Sequence, residues 1–391
     1  MATILLPRKM LVGAGSVNKI ASVLSGFGFS RPLIVSDPFY SPSRLQHFLP
    51  TLHVNEANTF FDIVPDPTTS SIDRLVRKLK SGNFDSMVSI GGGSAMDTCK
   101  AAGVLALHGG KMSDYKVPRL VDDLLPVPLI CVPTTAGTGS EVTRFTIVTD
   151  EDTQEKMLCA GSAFLPLAAV VDYELTLTCP YRLTADSGID ALCHAMEAFV
   201  SRKANKFSDA LGLSAINRIA KSLRAACDTP GDVIAREEMM IAATEAGMAF
   251  SNSSVTLIHG MSRPIGALFH VPHGLSNALL ASIVTNYSVP GAVQRYAQVA
   301  RAAEFAPLTG MSDEDCAARM ASGLSALCAA VQVPKFTALQ PKLTQAQFEQ
   351  LVPKMAGDAL ASGSPNNNPL VPTKAEIEQL YRDMWSGKAF A

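Results

Sequence analysis

The chain has 391 residues, 47% of them apolar and 17% charged, with a formal net charge of −2. That is enough apolar material for a large core, and at this length two domains are the natural expectation. A near-neutral balance with no run of lysines or arginines excludes a nucleic-acid or membrane-surface binder, and no apolar run is long enough to span a bilayer.

Gly13-Ala-Gly15 is a lone Gly-x-Gly, read as a hairpin or helix entry. Residues 32–36 form a buried strand that ends in the acidic Asp37, and 60–64 form another, followed by the turn Pro65-Asp-Pro-Thr68. Ile72, Leu75, Val76 and Leu79 recur at helical spacing over 70–80. A strand at 86–90, a glycine turn and a helix rich in small residues at 95–107 come next, then a strand at 128–132. Strands alternating with helices predict a mostly parallel sheet covered on both faces. Past about Pro180 the texture turns helical: 185–202, 206–226, 236–250, 275–283, 291–303, 314–330 and 374–385. Thr373-Lys-Ala-Glu376 is a capping box, and 362–369 reads as a loop. The fold class is thus an α/β domain over 1–180 followed by an all-helical domain over 181–391.

Eight cysteines are scattered without a Cys-x-x-Cys pair. Together with an N-terminus that lacks the features of a secretory signal, they predict buried thiols in a cytoplasmic protein.

Gly91-Gly-Gly-Ser94 follows a strand and opens a helix, where free backbone amides attract an anion. It is neither the Gly-x-Gly-x-x-Gly fingerprint nor a Walker loop. A second loop, Thr134-Thr-Ala-Gly-Thr-Gly-Ser140, also follows a strand. Two such loops at strand ends of one open sheet suit a dinucleotide. Asp37 is placed to accept from a ribose diol and would repel a 2′-phosphate, which favours NAD over NADP.

Four of the seven histidines lie between Asp190 and Gly274. Asp190 and His194, spaced i, i+4 in a helical run, put a carboxylate and an imidazole on one face. His259, His270 and His273 follow within fifteen residues. Two further imidazoles would complete the four-coordination a borderline divalent ion accepts.

These stretches resemble the iron-containing (group III) alcohol dehydrogenases. The motifs are Gly91-Gly-Gly-Ser-Ala-Met-Asp97, Pro133-Thr-Thr-Ala-Gly-Thr-Gly-Ser-Glu-Val-Thr143, Gly188-Ile-Asp-Ala-Leu-Cys-His-Ala-Met-Glu197, His259-Gly-Met-Ser262 and Pro272-His-Gly274. The resemblance implies the dehydroquinate-synthase-like architecture, an NAD-binding N-terminal domain and a metal-binding C-terminal one. It makes Asp190, His194, His259 and His273 the ligands of a divalent metal, usually Fe(II), with Zn(II) as the alternative. Around NAD it implies Asp37, Gly92, Gly93, Ser94, Asp97, Thr134, Thr135, Thr138, Thr143 and Lys156. It also implies a homodimer or larger homo-oligomer.

The expected reaction is hydride transfer between a small primary alcohol, diol or hydroxy acid and nicotinamide, with the metal polarising the substrate oxygen. A hydroxyacid–oxoacid transhydrogenase that keeps its NAD bound is the alternative. A dehydroquinate-synthase-like lyase fits less well, because few basic residues surround the ligands. The chain departs from the family in carrying Arg263 where many members have a histidine near the nicotinamide. It also has His270 where many have Asn or another polar residue, Asp66 for a common Asn, and Leu370 in a tail where Asn-Pro-Arg is typical. His270 is the candidate proton relay. Arg263 either enters the substrate site, favouring an anionic tail, or ties down a loop through backbone carbonyls.

Overall fold

Pro32–Ser36, Ser86–Gly91 and Leu129–Pro133 are buried at every position, as expected of parallel strands with both faces covered. The computed structural model describes residues 2–50, 52–153 and 155–388. It divides into two compact units, Thr3–Thr178 and Cys179 onward.

The first unit has strands β1 (Lys9–Val12), β2 (Pro32–Ser36), β3 (Thr59–Phe60), β4 (Ser86–Gly91), β5 (Leu129–Pro133), β6 (Phe145–Thr149), β7 (Lys156–Ala160) and β8 (Ala168–Val171). Six form a parallel sheet in the order β1-β8-β5-β4-β2-β3, and β6 and β7 form an antiparallel hairpin. Helices α1 (Ile20–Gly26), α2 (Pro42–Phe48), α3 (Thr69–Ser81) and α4 (Gly93–His108) accompany them. Side chains alternate across the sheet as the pleat requires. Leu33, Val35, Met87 and Cys131 pack with Ile72, Leu75, Met96 and Cys99, whereas Ile34, Val88, Ile90 and Ile130 pack with Ile20, Val23, Leu24 and Leu45. Gly15 serves as a left-handed entry to the turn of 3-10 helix that leads into α1. The strand expected at 60–64 contracts to Thr59–Phe60, since Asp62 and Pro65 face solvent and prolines follow.

The second unit is all helical: α5 (Tyr181–Val200), α6 (Lys206–Asp228), α7 (Val233–Ser251), α8 (Leu257–Phe269), α9 (His273–Ser288), α10 (Val293–Ala302), α11 (Asp313–Ala318), α12 (Met320–Ala330), α13 (Phe336–Leu339), α14 (Gln345–Ala361) and α15 (Lys374–Trp385). Helix α5 is buried almost all round after its first turn and packs against α6, α7 and α9, so it is the core of this unit. The helix expected over 314–330 is two, broken at Arg319. The Thr373 capping box forms, with Glu376 Oε2 accepting from Thr373 N at 2.7 Å and Thr373 Oγ1 accepting from Glu376 N at 3.3 Å. Tyr381 on α15 donates to the carbonyl of Met261 at 2.7 Å, tying the last helix to α8. All eight cysteines are free thiols, seven of them buried. Among the described residues no helix is long and apolar enough to cross a membrane.

Candidate functional site

Three helices bring one carboxylate and three imidazoles together in the second unit. Asp190 and His194 stand one turn apart on α5, His259 lies in the first turn of α8, and His273 is the first residue of α9. Their ligand atoms all lie within 4.8 Å of one another. Asp190 Oδ1 is 3.9 Å from His194 Nε2, 3.4 Å from His259 Nε2 and 3.7 Å from His273 Nε2. Ligands about 2.1 Å from a tetrahedral cation stand about 3.4 Å apart, so this donor set fits a divalent ion with little movement. Gly274 makes the approach of α9 feasible: a Cβ there would lie 2.3 Å from the carbonyl oxygen of Asp186 and 3.3 Å from the Asp190 Cβ.

The surroundings prepare the imidazoles to face a cation. Glu197, a further turn along α5 and buried, accepts from His259 Nδ1 at 2.5 Å, from Thr256 Oγ1 at 2.7 Å and from Ile258 N at 2.7 Å. A carboxylate on Nδ1 fixes the ring so that Nε2 offers its lone pair inward. Asn277, one turn after His273, directs its Nδ2 at Asp190 Oδ1 (2.6 Å), His259 Nε2 (3.1 Å) and His273 Nε2 (3.4 Å), while its Oδ1 is buried without a partner. Asn277 thus lies against three of the four ligand atoms, those of Asp190, His259 and His273. Burial opposes charge on Asp190, but the three imidazoles outweigh it and hold the carboxyl below its ordinary range. Burial pushes His194 down to about 3, keeping it neutral, and its ring stacks on Phe250 at 4.2 Å. His259 is held up to about 9 against burial by Glu197 and Asp190, a field that favours positive charge at this point.

In the first unit the two glycine-rich loops meet. Gly92 and Gly93 open α4 beyond the end of β4, and the second loop leaves the end of the adjacent β5. A Cβ on Gly93 would lie 2.8 Å from Thr138 Cγ2, and one on Gly92 would lie 3.6 Å from Thr135 Oγ1. Asp37, past the end of the neighbouring β2, accepts from Gly92 N at 3.1 Å, and burial raises its carboxyl against that bond. Asp37, Gly92, Gly93, Thr135 and Thr138 thus gather at the carboxyl ends of three adjacent strands, where open α/β sheets bind ligands. Ser94 lies at the same helix start and accepts from Asp66 N at 3.3 Å. Lys156, on β7, pairs with Asp66 at 3.0 Å. Asp97, Thr134 and Thr143 sit deeper. Asp97 accepts from Ser140 Oγ (2.7 Å) and Ile147 N (3.0 Å), and Thr134 and Thr143 are buried.

His270 stands apart from the four-residue cluster. It is exposed, in the left-handed region (φ 54°), at the C-cap of α8. Sequence reading missed Glu197, Asn277 and Lys100. The first two repeat the one-turn spacing of the ligands, Glu197 at Asp190 + 7 and Asn277 at His273 + 4. Lys100 is buried on α4. Its Nζ shares three N–H donors among Ser140 Oγ (2.8 Å), Thr143 O (3.0 Å), Thr143 Oγ1 (3.1 Å) and Phe145 O (2.9 Å). It therefore fastens the second loop to the helix that carries the first.

Residues 7–173 match the sequence model described as iron-containing alcohol dehydrogenase, and residues 184–385 match the C-terminal model of the Fe-containing alcohol dehydrogenase family. Alcohol dehydrogenase 4 of Schizosaccharomyces pombe is 34% identical over 382 residues, covering 96% of this chain and 87% of that one. The crystal structure of a 1,3-propanediol oxidoreductase superposes with a TM-score of 0.91 at 30% identity, covering 98% of this chain and all of the other. Sulfoacetaldehyde reductase from Bifidobacterium kashiwanohense, solved with NAD+, gives 0.85 at 27% identity over 99% of both chains.

Proposed function

The chain belongs to the iron-containing alcohol dehydrogenase family and is an oxidoreductase acting on CH–OH; from that premise we propose that it interconverts a small primary alcohol and its aldehyde with NAD and one divalent cation, Fe(II) before Zn(II). The observation that carries the reading is the convergence of Asp190, His194, His259 and His273 in a buried cluster of cation-binding size. When bound, the cation supplies Lewis acidity to a substrate oxygen, and the nicotinamide accepts or returns the hydride.

The chain's own residues do the rest. Asp190 is the anionic member of the ligand set and tempers the cation's charge, while three neutral imidazoles leave it an effective acid. Glu197 holds the His259 tautomer. The amide of Gly93 at the start of α4 receives the pyrophosphate, with the hydroxyls of Ser94, Thr135 and Thr138 around it. Asp97, Thr134, Thr143 and Lys156 shape that seat, and Asp37 accepts from the ribose diol, which selects NAD. His270, at the solvent edge of the α8–α9 turn, exchanges the proton with water. We place the protein in the cytoplasm as a homodimer or larger homo-oligomer, as the resemblance to its family suggests.

The test is a panel of small alcohols and diols with NAD and with NADP, on protein stripped of metal and reloaded with Fe(II) or Zn(II). NADH should accumulate only in the reloaded samples. Turnover that needs an added keto acid would assign a transhydrogenase instead, and no NAD-linked oxidation under either loading would overturn the reading.

A further inference from the structure

Arg263 lies one turn beyond His259 on α8, so the two residues share a helix face. Long side chains on a helix lean back toward its N-terminus, which carries the guanidinium over the turn that holds the ligand. The side chain is half-buried, its Nε is shut off from solvent without an acceptor, and among the described residues it makes no hydrogen bond or ion pair. The alternative in which Arg263 ties a loop down through backbone carbonyls therefore has no bond to support it. Glu197 attracts the guanidinium from a distance, but both of its oxygens already accept from Thr256, Ile258 and His259. A guanidinium whose Nε is buried without an acceptor carries a cost that an anion would relieve.

Resting on the alcohol dehydrogenase reading above, we propose that Arg263 is a specificity residue that receives the anionic tail of the substrate, so that the enzyme acts on short hydroxyalkyl oxoanions and the corresponding aldehydes. The shared chemistry is a flat or tetrahedral oxoanion taking two donors of the guanidinium fork. One helical turn is about 5.4 Å, which sets the anion about two or three carbons from the reacting carbon.

The experiment uses the metal-loaded enzyme with NAD. 3-Hydroxypropanoate, 2-hydroxyethanesulfonate and 2-hydroxyethylphosphonate are compared with 1-propanol and 1,3-propanediol, in wild type, Arg263→Met and Arg263→Lys. A charge-assisted pair of this kind corresponds to about 10- to 100-fold in kcat/KM. At least one anionic substrate should exceed the neutral alcohols by that factor. Methionine should collapse the anionic-to-neutral ratio, and lysine should restore part of it. Calorimetric binding of the same anion to metal-loaded protein should weaken in parallel in Arg263→Met. If that variant does not fold, competitive inhibition of wild-type 1-propanol oxidation by propanoate or methanesulfonate decides, and no inhibition at tens of millimolar overturns the inference. Equal losses on both substrate classes, or a wild type that prefers neutral alcohols, overturn this inference alone. No turnover of either class overturns the alcohol dehydrogenase reading and this inference with it.

Discussion

Glutamine in place of Glu197 separates the role of that side chain toward His259 from its role in holding the fold. Glu197 accepts three hydrogen bonds in a buried setting, two from Thr256 Oγ1 and Ile258 N through Oε1 and one from His259 Nδ1 through Oε2. Glutamine keeps a carbonyl oxygen for the first pair but presents an NH2 to the imidazole. His259 must then accept at Nδ1 and carry its proton on Nε2, the atom that faces Asp190. The fold loses one charge-assisted bond, about 1.5–3 kcal/mol, partly recovered by the new neutral bond. The metal site loses its prepared ligand, and changes to such outer partners typically cost about 10–100-fold in metal affinity. Alanine instead orphans three buried donors at about 1–3 kcal/mol each, so it should destabilise the apoprotein as well. The assay is metal content after dialysis against chelators of graded strength, read beside the melting temperature without metal. Glu197→Gln should lose metal about 10–100-fold more readily while melting within several degrees of wild type. A glutamine variant that holds metal as tightly as wild type would refute the tautomer argument.

Lys100→Met removes an ammonium whose three N–H groups are shared among Ser140 Oγ at the end of the second glycine-rich loop and the oxygens of Thr143 and Phe145 just beyond it. The KM for NAD should rise about 10-fold or more while metal content stays at the wild-type level, and metal loss in this variant would contradict the assignment to the loop. Asp37→Asn should narrow the preference for NAD over NADP by about 10-fold, measured as a ratio of kcat/KM. Burial raises the Asp37 carboxyl in the folded chain, so the folded state binds its proton more tightly and the ionised group opposes folding at neutral pH. The asparagine apoprotein should therefore melt higher than wild type at pH 7, with the gap shrinking as pH falls toward the unfolded carboxyl value of about 3.9. A gap that widens in acid would reverse the sign. His270→Asn should lower kcat a few-fold and regain it in imidazole buffer, and an unchanged kcat would release His270 from proton exchange.

The cluster was legible where chemistry and period coincided. Asp190 and His194 stand out because an acid and an imidazole one turn apart interrupt an otherwise apolar and small-residue helix. Glu197 sits on the same face, yet a glutamate in a helix more often marks a solvated surface, and only its burial reveals its task. Asn277 and Lys100 carry no pattern of their own, since their partners come from elements distant in sequence. The sheet strands were readable because β2, β4 and β5 are buried throughout and only serines interrupt their apolar residues. The β6–β7 hairpin was not, because its strands alternate buried and half-buried positions and include Thr and Lys. Helices α8 and α14 each contain a proline, Pro264 and Pro353, and that hid the first behind its histidines and left the second unread.

X-ray absorption at the iron edge of Fe(II)-loaded protein tests the central claim most directly. Three imidazole nitrogens and one carboxylate oxygen, about 2.0–2.2 Å from the metal in one site per chain, are the expected inner shell. A shell of oxygen alone, a sulfur ligand, or an imidazole signal that survives replacement of His194, His259 and His273 together would contradict it.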